Sequence, residues 1–167
     1  MLALDQRDFD QDFNNGWRLV AKEKACRLVA ADLIRTYIEA NGEDGVIMTW
    51  HEGQMRAMAG QTAEAIRLFK AARKRSEDDQ IGWNHYVDAS VAFLQGDREQ
   101  LERSRAKLSA MPRPDDFNPV DSFGNPVTIA WPVNLHVVDR FVNCFGESYD
   151  QAYNECKKPL AEKSDGK

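Results

Sequence analysis

Residues 50–75, WHEGQMRAMAGQTAEAIRLFKAARKR, decide the fold. Ile47, Trp50, Ala57 and Met58 recur at helical spacing, with Gly53 on a neighbouring face, and the pattern is not strand alternation. Gly60 marks a stop, because glycine accepts the left-handed backbone that ends a helix at no steric cost. Thr62 then offers a side-chain oxygen to the free amides of a second helix. Ala65, Leu68, Phe69 and Ala72 share one stripe of that helix, while Glu64, Arg67, Lys70, Arg73 and Lys74 hold the wet side. The stretch therefore reads as two helices joined by a tight turn. Small residues at Gly53 and Ala65, on opposite arms, let the two axes approach, and Trp50 and Phe69 fill the flanks.

The order Trp50, Gly53, Gly60, Ala65, Phe69, Ala72 resembles the small-and-large signature of tetratricopeptide repeats. A weaker copy follows about one repeat later, with Tyr86, Gly96, Leu101 and Leu108 standing for Trp50, Gly60, Ala65 and Ala72. Ala89 stands where Gly53 stood and Arg105 where Phe69 stood, and the large aromatic expected later in each first helix is missing. The resemblance spans about Val46 to Pro112. It implies an all-α fold of stacked antiparallel hairpins in a right-handed superhelix, and a binding role without naming a ligand.

Outward from this centre, one helical-repeat domain is expected over residues 1–167. A polar N-terminal arm (1–15) carries Phe9 and Phe13, as a loosely packed turn or a frayed arm. Helical hairpins fill 17–111, beginning with one long helix from Trp17 to Ala40 and ending at Pro112. Ser76 or Asp78 is expected to cap the helix from Ile81 to Gln95. Asp97 and Gln100 stand at capping-box spacing for the next. Five of the six prolines fall in 112–132, which excludes a regular helix and leaves a small hairpin or an extended strap over the core. Phe117, Phe123 and Trp131 argue for order there through burial. A C-terminal hairpin takes 133–157, with Ser148 capping its short second arm, and a polar tail takes 158–167.

The formal net charge of −5 does not suggest a general nucleic-acid surface. No apolar run approaches membrane-spanning length, so no membrane partner is expected. The first residues lack a secretion signal, which places the chain in the cytoplasm, or in the periplasm if a leader has been removed. Three cysteines, Cys26, Cys144 and Cys156, fit reduced thiols, with Cys26 and Cys144 as small core residues. The alternative is one disulfide and one free thiol, in which Cys156 can reach either partner.

Catalytic groups are scarce. His51-Glu52 begins like a zinc-peptidase motif, but Met55 occupies the place of the second histidine, so His51 reads as an exposed helix residue. His85 and His136 are isolated, no phosphate loop or nucleophile elbow occurs, and neither a metal nor a cofactor is expected. Asp115, Asp116 and Asp121 cluster in the proline-rich loop and read as solvated. The run Lys70, Arg73, Lys74, Arg75 reads as a solvated face.

The leading expectation is a non-catalytic protein- or peptide-binding module. Its partner would lie on a concave face formed by the first helix of each hairpin, touched by Trp50, Gln54, Trp83, Tyr86 and Ser90. These aromatic residues are equally suited to a core. If the first helix and the C-terminal hairpin fill the groove, that face is occupied. Two alternatives are a small enzyme or small-molecule binder, with Asp115, Asp116 or His136 under the proline-rich loop, and a structural subunit of a larger assembly.

Overall fold

The computed structural model describes residues 1–42, 45–121 and 124–157. The fold is all-α, with helices packed against their neighbours in sequence. In chain order they are α1 (Gln6–Asp10), α2 (Gly16–Ala21), α3 (Arg27–Asn41), α4 (Val46–Met58), α5 (Thr62–Ala71), α6 (Trp83–Gln95), α7 (Arg98–Ser109) and α8 (Leu135–Asn143). Two short 3₁₀ turns, Lys24–Cys26 and Ser76–Asp78, and a π-helical turn, Gln151–Glu155, complete the order. Among the described residues, the extended pairing is a single antiparallel bridge between Val120 and Pro126.

The central pair α4–α5 forms as its sequence requires. Gly60 takes φ +82° between the helices. A Cβ on Gly53 would stand 2.7 and 2.8 Å from ring carbons of Phe69 and 3.2 Å from Cβ of Leu68, so the missing side chain is what seats α5 on α4. Phe69 is itself stacked on Trp50, with ring centroids 4.2 Å apart. The second pair, α6–α7, ends α6 at Gly96 with φ +70° and caps α7 through Asp97, whose carboxylate accepts the Gln100 amide at 2.9 Å.

Several expectations are corrected. The N-terminal arm is not loose: Phe9 and Asp10 on α1 are fully enclosed, and the Phe9 ring stacks on Tyr37 of α3 at 3.8 Å. The helix expected from Trp17 to Ala40 breaks at Glu23, whose extended backbone (ψ 115°) turns α3 away from α2. Gln61, not Thr62, is the cap position of α5, and its side chain makes no cap bond. Asp79, rather than Ser76 or Asp78, holds the start of α6, accepting the amides of Trp83 at 2.6 Å and Asn84 at 2.8 Å. The second arm of the C-terminal hairpin is the π-helical turn, with Ser148 Oγ accepting the Gln151 amide at 3.3 Å.

Cysteine pairing is corrected as well. Cys144 and Cys156 form a disulfide, with Cα atoms 6.0 Å apart, and Cys26 stays free. Cys144 does lie in the core, as its apolar neighbours imply. In the proline-rich segment, Trp131 donates to the Met111 carbonyl at 2.9 Å and meets Phe117 edge-on at 4.9 Å, while Val120, Val127 and Ile129 remain exposed. The expectations for Phe123 and for the tail after 157 fall outside the described residues.

Two cores share one wall. An N-terminal core gathers Phe9, Trp17, Ala30, Ala31, Ile34 and Tyr37 around Met48 and Met55 of α4. The larger core runs from Trp50 and Ala57 of α4 through α5–α8 to Tyr149 and Ala152. Helix α4 faces both.

Gly53→Ala should lower the stability to urea by about 1–3 kcal/mol through overpacking, although alanine is the better helix former. An unchanged or raised unfolding midpoint would show that the Phe69 ring yields, and that close approach at this position is not required.

Candidate functional site

The five residues expected on a concave face lie inside. Trp50, Gln54, Trp83, Tyr86 and Ser90 are each no more than 7 % exposed. Trp50 meets Trp83 and Tyr86 at centroid distances of 5.0 and 4.8 Å. Trp83 Nε1 donates to the Ala72 carbonyl at 2.7 Å, and Ser90 Oγ donates back to Tyr86 O at 2.9 Å. Tyr149, arriving from the C-terminal segment, covers this side and touches the rings of Phe69, Phe93 and Phe141. The groove is therefore filled by the chain's own last described segment, with α1–α3 on the other flank of α4.

Because α4 is enclosed on both sides, its polar residues need internal partners. His51, expected on the surface, is buried: its Nδ1 lies 2.7 Å from Asp10 Oδ1, which also accepts the Trp17 indole N–H at 2.7 Å. Burial pushes the Asp10 carboxyl up, but the His51 and Trp17 bonds and the His51 charge outweigh it, and its pKa falls below the usual aspartate value. Glu52 accepts from Arg56 Nε at 2.7 Å and from Arg35 of α3 at 2.8 Å. Arg56 also reaches Gln61 at 2.8 Å and Asp32 at 2.9 Å. Glu64, held by Arg67 and Arg35, is lowered to about 2. These pairs bolt α1, α3, α4 and α5 together.

One polar atom is left over. The Tyr149 hydroxyl is buried with no hydrogen-bond partner among the described residues, although Gln54 and Ser90 are its polar neighbours. Burial pushes the phenols of Tyr86 and Tyr149 well up, so both stay neutral.

Gln54 leads outward. It lies in the wall of an open cleft of about 270 Å³ between α2, α4 and the C-terminal segment. Met55 and Met58 give the α4 side its apolar surface, Trp17 and Ala21 line the α2 side, and Tyr153 and Asn154 close the far edge. Phe13, 70 % exposed, stands at the mouth. Of the five expected contact residues, Gln54 alone lines this cleft. Sequence reasoning missed the rest because the approach of Tyr153 to α2 depends on distant contacts. These are Arg27 with Asp150 at 2.5 Å, Lys24 with Asp150 at 3.7 Å, and Lys24 with Glu155.

The other candidates disperse. A groove of about 330 Å³ lies within the proline-rich segment, lined by Arg113, Phe117, Val120, Val127 and Ile129 but not by Asp115, Asp116 or His136. Asp115, Asp116 and His136 are exposed, and Asp121 accepts the Asn125 amide at 2.8 Å in the turn. In the basic run, Arg73 pairs with Asp88, Arg75 pairs with Asp78 at 2.8 Å, and Lys74 lies over the Trp83 ring. Among the described residues no group of three or more histidines, cysteines and carboxylates is placed to hold a metal ion, and no helix is long and apolar enough to cross a membrane. Compared with family models, curated proteins and solved structures, the chain matches none.

Two measurements check this interior. The Asp10 and Glu64 pKa values are depressed by folding, so their contributions are complete above the unfolded values, 3.8 and 4.5, and drain away as pH falls toward the folded ones. Thermal melts should therefore show stability falling from pH 5 toward pH 2, and Asp10→Ala should cost about 2–4 kcal/mol at neutral pH by leaving Trp17 and His51 unpaired. A neutral-pH cost under about 0.5 kcal/mol would mean that water satisfies both donors. Tyr149→Phe should leave stability unchanged or raise it by up to about 1 kcal/mol, since the lost hydroxyl has no partner. A marked loss would reveal a hydrogen bond there.

Proposed function

We propose that the protein is a non-catalytic protein- or peptide-binding module, and that its contact site is the cleft between α2, α4 and the C-terminal segment. The carrying observation is the composition of that cleft. An exposed aromatic ring, the half-buried Met58 and the exposed Asn154 amide meet on a surface open to solvent, with Met55 and Gln54 buried in its wall. Aromatic rings give contact area at low entropic cost, and methionine adapts to varied partners. Gln54 and Asn154 offer donors and acceptors suited to a peptide backbone. At about 270 Å³ the cleft suits one or two side chains better than a whole cofactor.

The helical-hairpin architecture supports this reading, and the tetratricopeptide-like right-handed superhelix belongs to it as a proposal. The partner differs from the sequence-based expectation only in where it sits: on the rim that carries Gln54, not against the enclosed Trp50, Trp83, Tyr86 and Ser90. A non-catalytic role is supported by the fate of His51 and Glu52 on α4, each tied into a buried pair. The Cys144–Cys156 disulfide favours an oxidising compartment, the periplasmic alternative, over the cytoplasm.

An array of random hexapeptides, probed with the labelled full chain, tests the site. The chain should retain a defined subset of peptides, and Phe13→Ala combined with Met58→Glu should weaken that retention at least about fivefold while the melting temperature holds. Retention untouched by both changes would remove the cleft from the reading.

A further inference from the structure

The charges around the cleft are one-sided. Arg18, Lys22 and Arg27 all line it, and among the described residues no carboxylate does, on a chain whose net charge is −5. Arg27 is answered from behind by Asp150 at 2.5 Å. Arg18 and Lys22 are not answered by any carboxylate in salt-bridge range among the described residues. Lys22 Nζ bonds only the neutral Asn14 side chain, at 2.9 Å. Arg18 donates its Nε to the Asp10 carbonyl, and its guanidinium lies over the Trp17 ring at 4.4 Å and the Phe13 ring at 5.1 Å. The Asp10 carboxylate itself is turned to Trp17, His51 and Gln11.

Contact with two aromatic rings and the Nε bond to the Asp10 carbonyl hold the guanidinium in place and leave its terminal N–H groups with no hydrogen bond among the described residues. A planar, oriented fork of that kind matches a carboxylate. Arg18 and Lys22 stand four apart at the end of α2, so both reach the same spot. Beside them lies the apolar surface of Met55 and Met58.

We propose that the cleft takes an acidic peptide segment of a partner protein, with one carboxylate held by Arg18 and Lys22 and an adjoining apolar side chain on Met55 and Met58. This rests on the module reading above and narrows it to one class of partner. Phe13, already stacked near Arg18, closes over the bound side chain from the mouth. The positive edge also speeds encounter with an acidic partner, an effect that salt weakens.

The same hexapeptide array distinguishes the two readings. Bound peptides should be enriched in aspartate or glutamate next to an apolar residue. Lys22→Glu, at an exposed position with no structural partner beyond Asn14, should weaken the strongest of them about tenfold, as should Arg18→Gln. Raising the salt from about 0.05 to 0.3 M should weaken them further. Bound peptides without acidic enrichment, or untouched by Lys22→Glu, overturn the acidic assignment and leave the module reading intact. An array with no peptide retained defeats both. Binding to phosphatidylglycerol vesicles with no acidic peptide retained replaces the partner protein with a lipid surface and overturns the proposal as well.

Discussion

The contact between Glu52 and Arg56 governs the rest of the architecture. Both residues are enclosed, one turn apart on α4, and their Nε–Oε1 distance is 2.7 Å. Neither charge tolerates such a place alone, since an unpaired buried ion costs several kcal/mol. Arg35 and Asp32 from α3, and Gln61 at the turn, supply the remaining bonds. The neighbours of α4 are thereby fixed in position as well as in number. A purely apolar α4 would permit sliding; this one permits a single register.

The same enclosure explains why the interior and the binding surface part company. A stack of hairpins presents its first helices to one side, and that side is valuable only while it remains empty. Here the aromatic residues Trp50, Trp83 and Tyr86 are too large and too apolar to stay wet, and Tyr149 and Ala152 close over them. The surface that the proposed reading leaves for recognition is the seam where the covering segment meets α2. It is smaller, more polar and more basic than the buried groove, which favours a short contact over the wrapping of a long helix.

The hairpins were legible because their signals are local. Gly60 and Gly96 stop helices by their own backbone freedom, and Gly53 announces close packing against Phe69 on the very next helix. The fate of α4's polar face was not legible. His51 meets Asp10 across 41 positions and Arg56 meets Asp32 across 24, and no spacing rule connects them. The break at Glu23 carries neither glycine nor proline, so a continuous apolar stripe concealed it. Cys144 looked like a core residue and is one; its bond to Cys156 depends on a turn at Gly146 that brings the chain back on itself. The cleft was hidden for the same reason, since its far edge at Tyr153 and Asn154 comes from more than a hundred residues beyond α2.

The ties from Lys24 and Arg27 to Asp150 and Glu155 carry a further consequence for biosynthesis. As the chain leaves the ribosome, α1–α5 can assemble around their own ion pairs, but the core around Trp50 and Tyr86 waits for Tyr149, which is made well after α5. Until then a large oily surface stays bare. A core that closes only when a distant segment arrives leaves its surface open to non-native contacts in the meantime, and such partly folded species are prone to clump.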